Sequence, residues 1–351
     1  MNEKVNNRKI DYNSTILNAL KKMDESSVKL LIVFKEDVFF GLLSIGDIQR
    51  AIINKTSLDE QIKNILRKEF TYAKNTDNFE DIKKLMLHFR TECMPVLDSK
   101  GNLVNVYFWD DLFSSSIHTN NKPLNLPVVI MAGGKGERLK PLTNIIPKPL
   151  IPIGEKTIAE TIMEKFINAG CNNFYMSVNY KADTIKHYFD ATETKYSIEY
   201  FEETKPLGTI GSVYLLKNKV TSSFFVSNCD IIIDQDLHDV YDYHINNKNE
   251  LTIVAALKHY QIPYGVIETE ADGIMTNLSE KPELTFMINS GMYILEPHLI
   301  NEIPEDTFFH ITHLIENIKK RNGKIGVFPV TESSWFDIGE WKEYLTTIKK
   351  L

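Results

Sequence analysis

LPVVIMAGGKGERLKPLTNIIPKPLIPIG, residues 126–154, is the stretch on which the fold turns. Its opening run, LPVVIMA, is apolar throughout and too short for a core helix, so it reads as a buried strand. Directly after it stand Gly133, Gly134 and Gly136. Lacking Cβ atoms, they let the chain turn tightly and bring backbone N–H groups close to a phosphate. Arg138 and Lys148 add cations a little further on. Two familiar phosphate loops do not fit this segment. The P-loop requires Gly-Lys-Ser/Thr, whereas Glu137 follows Gly136; the dinucleotide fingerprint requires a third glycine where Leu139 stands. A strand feeding this turn predicts a phosphate loop of another kind.

Downstream, strands alternate with helices. Thr157 to Ala169 has an amphipathic period and stops at Gly170, Asn173 to Val178 reads as a strand, and Asp183 to Phe189 as a helix. FFVSN at 224–228 is the next strand, followed by a helix near Leu237 to Asn246 and the strand LTIVAAL at 251–257. That alternation predicts an α/β domain with a Rossmann-like, mostly parallel sheet and functional groups at the carboxyl ends of its strands.

Upstream, a repeat is concealed in dissimilar residues. Asn13 and Ser14 can cap a helix carrying Ile16, Leu17, Leu20 and Met23; the strand Val28 to Phe34, a short turn, Val38 to Leu43 and a helix from Asp47 follow. The order recurs with a helix carrying Phe79, Ile82, Leu85, Met86 and Phe89, strands at Met94 to Leu97 and Leu103 to Phe108, and Asp111. Ser14 and Asn78, Leu30 and Met94, and Asp47 and Asp111 all stand 64 residues apart. Two copies of an α-β-β-α unit explain this. The polar run from Ser114 to Asn125 has no periodicity and predicts a linker, dividing the chain into domains at 1–120 and 121–351.

The 351 residues carry a formal net charge of -7 with both signs interspersed, which argues against nucleic acid or an anionic membrane as partner. Cys93, Cys171 and Cys229 are scattered and lack metal-binding spacing, so they read as reduced thiols. No stretch approaches the roughly 18 apolar residues of a membrane span. These features predict a soluble, cytoplasmic chain.

The glycine-rich stretch with Arg138, Leu139, Pro141-Leu142-Thr143 and Pro147-Lys148-Pro149 resembles the signature of the sugar-1-phosphate nucleotidyltransferases. The likeness continues in order through Leu207-Gly208-Thr209, Asn228-Cys229-Asp230, Tyr264-Gly265-Val266, Glu280-Lys281-Pro282, Asn289-Ser290-Gly291-Met292-Tyr293 and Trp335-Phe336-Asp337-Ile338-Gly339, covering residues 126 to 345. The resemblance implies transfer of a nucleoside monophosphate from a nucleoside triphosphate to a sugar 1-phosphate. Arg138 and Lys148 would then be catalytic; Ala132, Gly133, Gly134, Gly136 and Gly208 would receive the nucleotide. Gly265, Glu280, Lys281 and Asn289 would form the sugar pocket, and Asp230 and Asp337 would hold Mg2+. Cys229 departs from the family's usual glycine, and Glu340 stands where the family often has threonine, at an expected helix start.

The repeat resembles the tandem cystathionine-β-synthase-type (CBS) pair. Gly41 to Ala51 looks like the end of that motif, which implies a regulatory nucleotide at Ser44 and Asp47; the second copy keeps Asp111 but has Phe108 in place of the hydroxyl. Such a pair serves nucleotide binding or dimerisation, and implies a homo-oligomer. A CBS pair ahead of this transferase is similar to guanylyltransferases of nonulosonic (legionaminic-type) acid synthesis, implying GTP and glucosamine 1-phosphate. Mannose 1-phosphate with GTP, or glucose 1-phosphate with UTP or dTTP, are the alternatives. Outside catalysis, a sensor with a degenerate transferase domain is the rival. It would be free to lose the metal carboxylates, and a glycosyltransferase of similar fold would be expected to lack Pro147-Lys148-Pro149.

Overall fold

A computed structural model describes residues 3–26, 28–67, 70–89, 91, 93–109, 122–192 and 196–348. The chain divides into two compact units, Met1–Leu112 with His259–Phe286, and Phe113–Lys258 with Met287–Leu351. The expected boundary at 120/121, Asp111 and the first part of the linker lie outside the described residues.

In the first unit, β1 (Lys9–Asp11), β2 (Leu30–Lys35) and β3 (Val38–Ser44) form one sheet; β4 (Ala73–Lys74), β5 (Cys93–Leu97) and β6 (Leu103–Phe108) form another. Each has its first strand parallel and its last antiparallel to the middle one. The repeat is visible in the pairing itself: Lys9 faces Ile32, and Ala73, 64 residues later, faces Val96. The opening strand of each copy is too short for a periodic signal, and it was not expected from the sequence. The helix Ile16–Glu25 buries Ile16, Ala19 and Met23, and Phe79–Phe89 buries Ile82 and Met86. The cap of the first helix is Thr15 rather than Ser14; its hydroxyl oxygen accepts from the Asn18 N–H at 3.1 Å, which only the residue directly before the helix can reach. Ile32, Phe34 and Phe39 of the first copy share a core with Cys93, Val106 and Phe108 of the second.

The second unit is built on a sheet whose strand order is β11-β10-β7-β12-β17-β14-β18, where β7 is Pro127–Met131, β10 Asn173–Val178, β11 Ser197–Glu202, β12 Phe224–Asn228, β14 Leu251–Gln261, β17 Glu283–Leu295 and β18 Ile325–Val330. Strands β11, β10, β7 and β12 run parallel, with β17 antiparallel to β12. This is the expected α/β fold with a mostly parallel sheet, fed by right-sized crossover helices such as Ile158–Asn168, whose start is closed by a reciprocal Thr157–Glu160 capping box. Val129, Phe224, Val226, Leu295 and Leu314 fill one side of it. Smaller pairs are β8 (Pro152–Ile153) with β9 (Lys156–Thr157), and β13 (Ile231–Ile233) antiparallel to β19 (Trp335–Asp337). β14 runs on to Gln261, past the expected Leu257, and with β17 leads into the hairpin of β15 (Gly265–Thr269) and β16 (Met275–Glu280). Among the described residues, no helix is long and apolar enough to cross a membrane. The three cysteines are buried and form no disulfide.

Candidate active site

The glycine-rich segment leaves the carboxyl end of β7, where the Ala132 N–H still reaches the Ser177 carbonyl at 3.0 Å. Gly136 has φ +63°, and a Cβ there would stand 2.8 Å from Thr143 and 3.1 Å from Lys148 Cβ. The Thr143 hydroxyl donates to the Gly136 carbonyl at 2.9 Å, so loop and signature turn are tied to each other. Gly208, at φ +85°, passes so close to Phe309 that a Cβ would meet its carbonyl oxygen at 2.6 Å. Ala132, Gly133, Gly134 and Gly136 line one wall of a cavity of about 290 Å³; Lys148, Gly208 and Asp230 line the rest with Glu203 and Phe308.

Lys148 lies in a short 3-10 turn, Lys148–Leu150, and its ammonium reaches Asp230 Oδ2 at 2.5 Å. Arg138 Nη2 approaches the same oxygen at 3.8 Å, and Arg138 Nη1 donates to Glu340 at 3.1 Å. Asp337 is brought beside them by the β13–β19 pairing, in which Ile231 faces Asp337 and the Ile338 N–H donates to the Asp230 carbonyl at 2.7 Å. Gly339 makes room for this group. A Cβ on it would lie 2.9 Å from both Arg138 Nη2 and Asp337 Oδ1 and 3.2 Å from Asp230 Oδ2. Burial and the neighbouring charge of Asp230 raise the Asp337 carboxyl above its ordinary value, although the Gly339 N–H, Arg138 and Lys148 oppose the rise. Asn289 joins Arg138, Asp230 and Asp337 around a second cavity of about 450 Å³. Cys229 is a buried small side chain; desolvation pushes its thiol up to about 12, so it is no nucleophile. Glu340 precedes the helix Trp341–Ile348 and its carbonyl accepts from the Tyr344 N–H, the helix start expected of it.

The remaining expected residues lie in the first unit. Gly265 and Glu280 face each other across the hairpin, and Lys281, at φ +47°, turns the chain while its N–H donates to the Tyr264 carbonyl at 3.2 Å. Ser44 caps the helix Ile45–Ile53 in a reciprocal box with Asp47. Asp47 is enclosed: Oδ2 accepts from the Ser44 N–H and hydroxyl, Oδ1 takes Arg50 and, at 2.5 Å, Arg67 Nε. Burial pushes its carboxyl up, but the bonds from Ser44 and Arg67 and the charge of Arg67 outweigh it and leave it lowered.

Glu203 was not singled out in the sequence. It is 7% exposed, accepts from the Ser177 hydroxyl at 2.6 Å and the Leu207 N–H at 3.2 Å, and lies 3.3 Å from where a Cβ on Gly133 would stand. Its signal was an acidic pair, Glu202-Glu203, at the carboxyl end of a strand and just ahead of Leu207-Gly208-Thr209. Phe308 and His310, which line the two cavities, come from a loop without any such signal.

The family model described as nucleotidyl transferase matches residues 127–351. The mannose-1-phosphate guanylyltransferase catalytic subunit beta of Drosophila pseudoobscura pseudoobscura is 31% identical over 236 residues, 62% of this chain and 60% of the relative. The mannose-1-phosphate guanyltransferase of Pichia angusta is 33% identical over 228 residues, 62% of this chain and 62% of the relative. The chain therefore spans about three fifths of the length of the curated relatives it matches. Among solved structures, HddC from Yersinia pseudotuberculosis is 28% identical with a TM-score of 0.50, over 64% of this chain and 99% of that one. The same protein complexed with GMP-PN aligns at 27% identity and a TM-score of 0.50 over the same shares.

Proposed function

We propose, from the premise that this chain belongs to the nucleotidyl transferase family, that it transfers GMP from GTP to a sugar 1-phosphate. A phosphate oxygen of the sugar phosphate attacks the α-phosphorus; the new O–P bond forms as the bond to the β-phosphate breaks, and pyrophosphate leaves with the electron pair. The observation that carries this reading is the convergence of Lys148, Arg138, Asp230 and Asp337 beside a glycine-rich cavity. Catalysis of this kind is positioning together with neutralisation of accumulating negative charge. Arg138 grips the leaving pyrophosphate, and Lys148 exchanges Asp230 for the reacting phosphates as a point charge.

Two adjacent carboxylates, one of them raised by burial and by the charge of the other, suit a cation that completes its shell with substrate oxygens and water, as Mg2+ does. Asp230 and Asp337 would hold it. When bound, it supplies charge neutralisation at the triphosphate.

Guanine is favoured by Glu203. Its two oxygens can accept from the adjacent N1–H and N2–H groups that only guanine presents side by side, whereas uracil or thymine would set carbonyl oxygens against it. Relatives named for guanylyl transfer and a neighbour complexed with GMP-PN support the same nucleotide. For the acceptor, Gly265, Glu280, Lys281 and Asn289 are read as contacts to the sugar and its phosphate. Glucosamine 1-phosphate is preferred because of the N-terminal repeat, and mannose 1-phosphate is the second acceptor because of the relatives' names.

Residues 1–120 are read as a tandem CBS domain ahead of a catalytic domain at 121–351, on the strength of the duplicated three-stranded sheets. This domain binds a regulatory nucleotide at Ser44 and Asp47 and joins copies of the chain in a cytoplasmic homo-oligomer. A matrix of GTP, ATP, UTP and dTTP against glucosamine, mannose and glucose 1-phosphates, with Mg2+ and pyrophosphate release as readout, tests the reaction. Turnover with GTP and glucosamine 1-phosphate is expected; no pyrophosphate release in any combination overturns the enzymatic reading.

A further inference from the structure

Arg138 lies across the segment that follows Asp337. Its Nη1 donates to Glu340 at 3.1 Å, and its Nη2 stands 2.9 Å from where a Cβ on Gly339 would be, so the guanidinium passes directly over that glycine. Two residues further along, the Lys140 carbonyl accepts from Trp341 Nε1 at 2.8 Å, and the Tyr344 hydroxyl donates to the Pro152 carbonyl at 2.8 Å. These bonds tie the backbone carrying Arg138 to the helix start carrying Glu340, so the pair forms without ordering two loose segments.

The two carboxylates beside the guanidinium differ in what else they engage. Asp230 Oδ2 stands 3.8 Å from Arg138 Nη2, but the same oxygen takes Lys148, and Asp230 is read above as a metal ligand. Once engaged by a cation, it no longer draws Arg138 to itself. Glu340 is more than half exposed and is in the lining of neither cavity of this unit, so its hold on Nη1 persists. A guanidinium carries donors on three nitrogens in one rigid plane; held at Nη1, it can swing Nη2 and Nε from one acceptor to another without leaving the site. Glu340 departs from the family's frequent threonine, which offers no charge for such a hold.

We propose that Glu340 is a positioning residue, the pivot on which Arg138 turns from Asp230 to the β- and γ-phosphates of the triphosphate, and that it thereby raises the affinity for GTP. The inference rests on the readings above, of Arg138 as the grip on the leaving pyrophosphate and of Asp230 as a metal ligand. A pivot acts through Arg138 alone and on the pyrophosphate end alone.

The test uses the full chain with Mg2+ and no sugar phosphate, so that calorimetric titration with GTP or GMP reads binding without turnover. Glu340→Ala is expected to raise the Kd for GTP about 3- to 5-fold, the upper end for an exposed ion pair. GMP, which lacks the β- and γ-phosphates, is expected to bind this variant and the wild type alike. Glu340→Thr replaces the alanine variant where that does not fold, threonine being suited to the start of a helix. In Arg138→Ala, or in Arg138→Gln where the alanine variant binds too weakly to titrate, adding Glu340→Ala is expected to change the Kd for GTP by less than about 1.5-fold, because the pivot then carries nothing. An unchanged or lowered Kd for GTP in the single variant, an equal loss for GMP, or the same loss with and without Arg138 overturns the inference while the transferase reading stands. Absence of GTP binding by the wild-type chain overturns that reading and the inference with it.

Discussion

Lys148 Nζ stands 2.5 Å from Asp230 Oδ2, an ion pair between residues 82 positions apart in the chain, with side chains 13% and 18% exposed. Neither partner is idle bulk. The lysine comes from the turn that follows the glycine-rich loop, and the aspartate stands two residues past the end of β12, so the pair joins the two segments between which a triphosphate would lie. A half-buried pair is worth little to stability in proportion to its desolvation. Its value is a cation held ready beside a carboxylate.

Asp230→Asn is expected to lower kcat by at least about 100-fold, since it halves the fixed negative charge that the proposed Mg2+ would have at Asp230 and Asp337. Lys148→Ala should cost about 100- to 1000-fold in kcat/KM, the size of effect seen when a charge stabiliser is removed. Circular dichroism and melting temperature serve as controls for folding. More than half the wild-type rate in either variant would remove that residue from contact with the reacting groups.

Gly339→Ala is expected to damage the site while sparing the fold. The added Cβ would stand 2.9 Å from Arg138 Nη2 and from Asp337 Oδ1, both side-chain tips that can move. Moving them separates Asp337 from the Gly339 N–H, which it now accepts from at 2.7 Å, and turns Arg138 away from Asp230. Displacements of this size cost about 10- to 100-fold in rate. Steady-state kinetics and a thermal melt check it; a lowered melting temperature with unchanged kcat would reverse the assignment.

The periodic elements were legible in the sequence. The strands Asn173–Val178 and Phe224–Asn228 and the helix Leu237–Asn246 appear at the expected residues because each carries its own apolar period and its own breakers. Strands β1 and β4 were not, because two or three residues carry no period; they exist through pairing with β2 and β5. The grouping of 259–286 with the repeat arises from packing at long sequence separation, which local pattern does not encode. In the candidate site, Arg138, Lys148, Asp230 and Asp337, which the structure brings together, were picked out through motif order. Glu203 was not, since its place at the cavity comes from what β10 and the Leu207 backbone arrange around it.

Stability should fall with pH below neutrality through His244. Its ring is fully buried, with Nδ1 2.8 Å from the Thr252 hydroxyl and Nε2 3.1 Å from Glu296, which also accepts from Ser223. Burial lowers its pKa, with Glu296 opposing, so the folded protein keeps the ring neutral. The unfolded chain protonates near 6.5. Above that pH both states are neutral and the contribution is fully present; as pH falls below it, the unfolded state gains a proton that the folded state refuses, and stability drops by up to about 1.4 kcal/mol per pH unit. His244→Gln should be less stable at pH 7.5 yet show a shallower loss between about 6.5 and 5.5. Denaturant melts across that range decide it: parallel curves for the two proteins would refute the assignment.

Glu203→Gln is expected to change which nucleotide the enzyme accepts. The carboxylate offers only acceptors, matching the paired donors of guanine; the amide offers one acceptor and one donor, so one N–H would face another in a buried site. Such a mismatch costs about 1–3 kcal/mol, predicting a fall of about 10- to 100-fold in kcat/KM for GTP. UTP, whose N3–H lies beside a carbonyl, should lose less or gain. Because Glu203 also accepts from Ser177 and from the Leu207 N–H, a structural role must be separated from a recognition role. Ser177→Ala does so, removing one hold on the side chain while leaving both oxygens as acceptors. If Glu203 reads the base, the GTP-to-UTP ratio collapses in Glu203→Gln and is kept in Ser177→Ala; if it only braces the loop, both variants lose GTP and UTP activity in equal proportion.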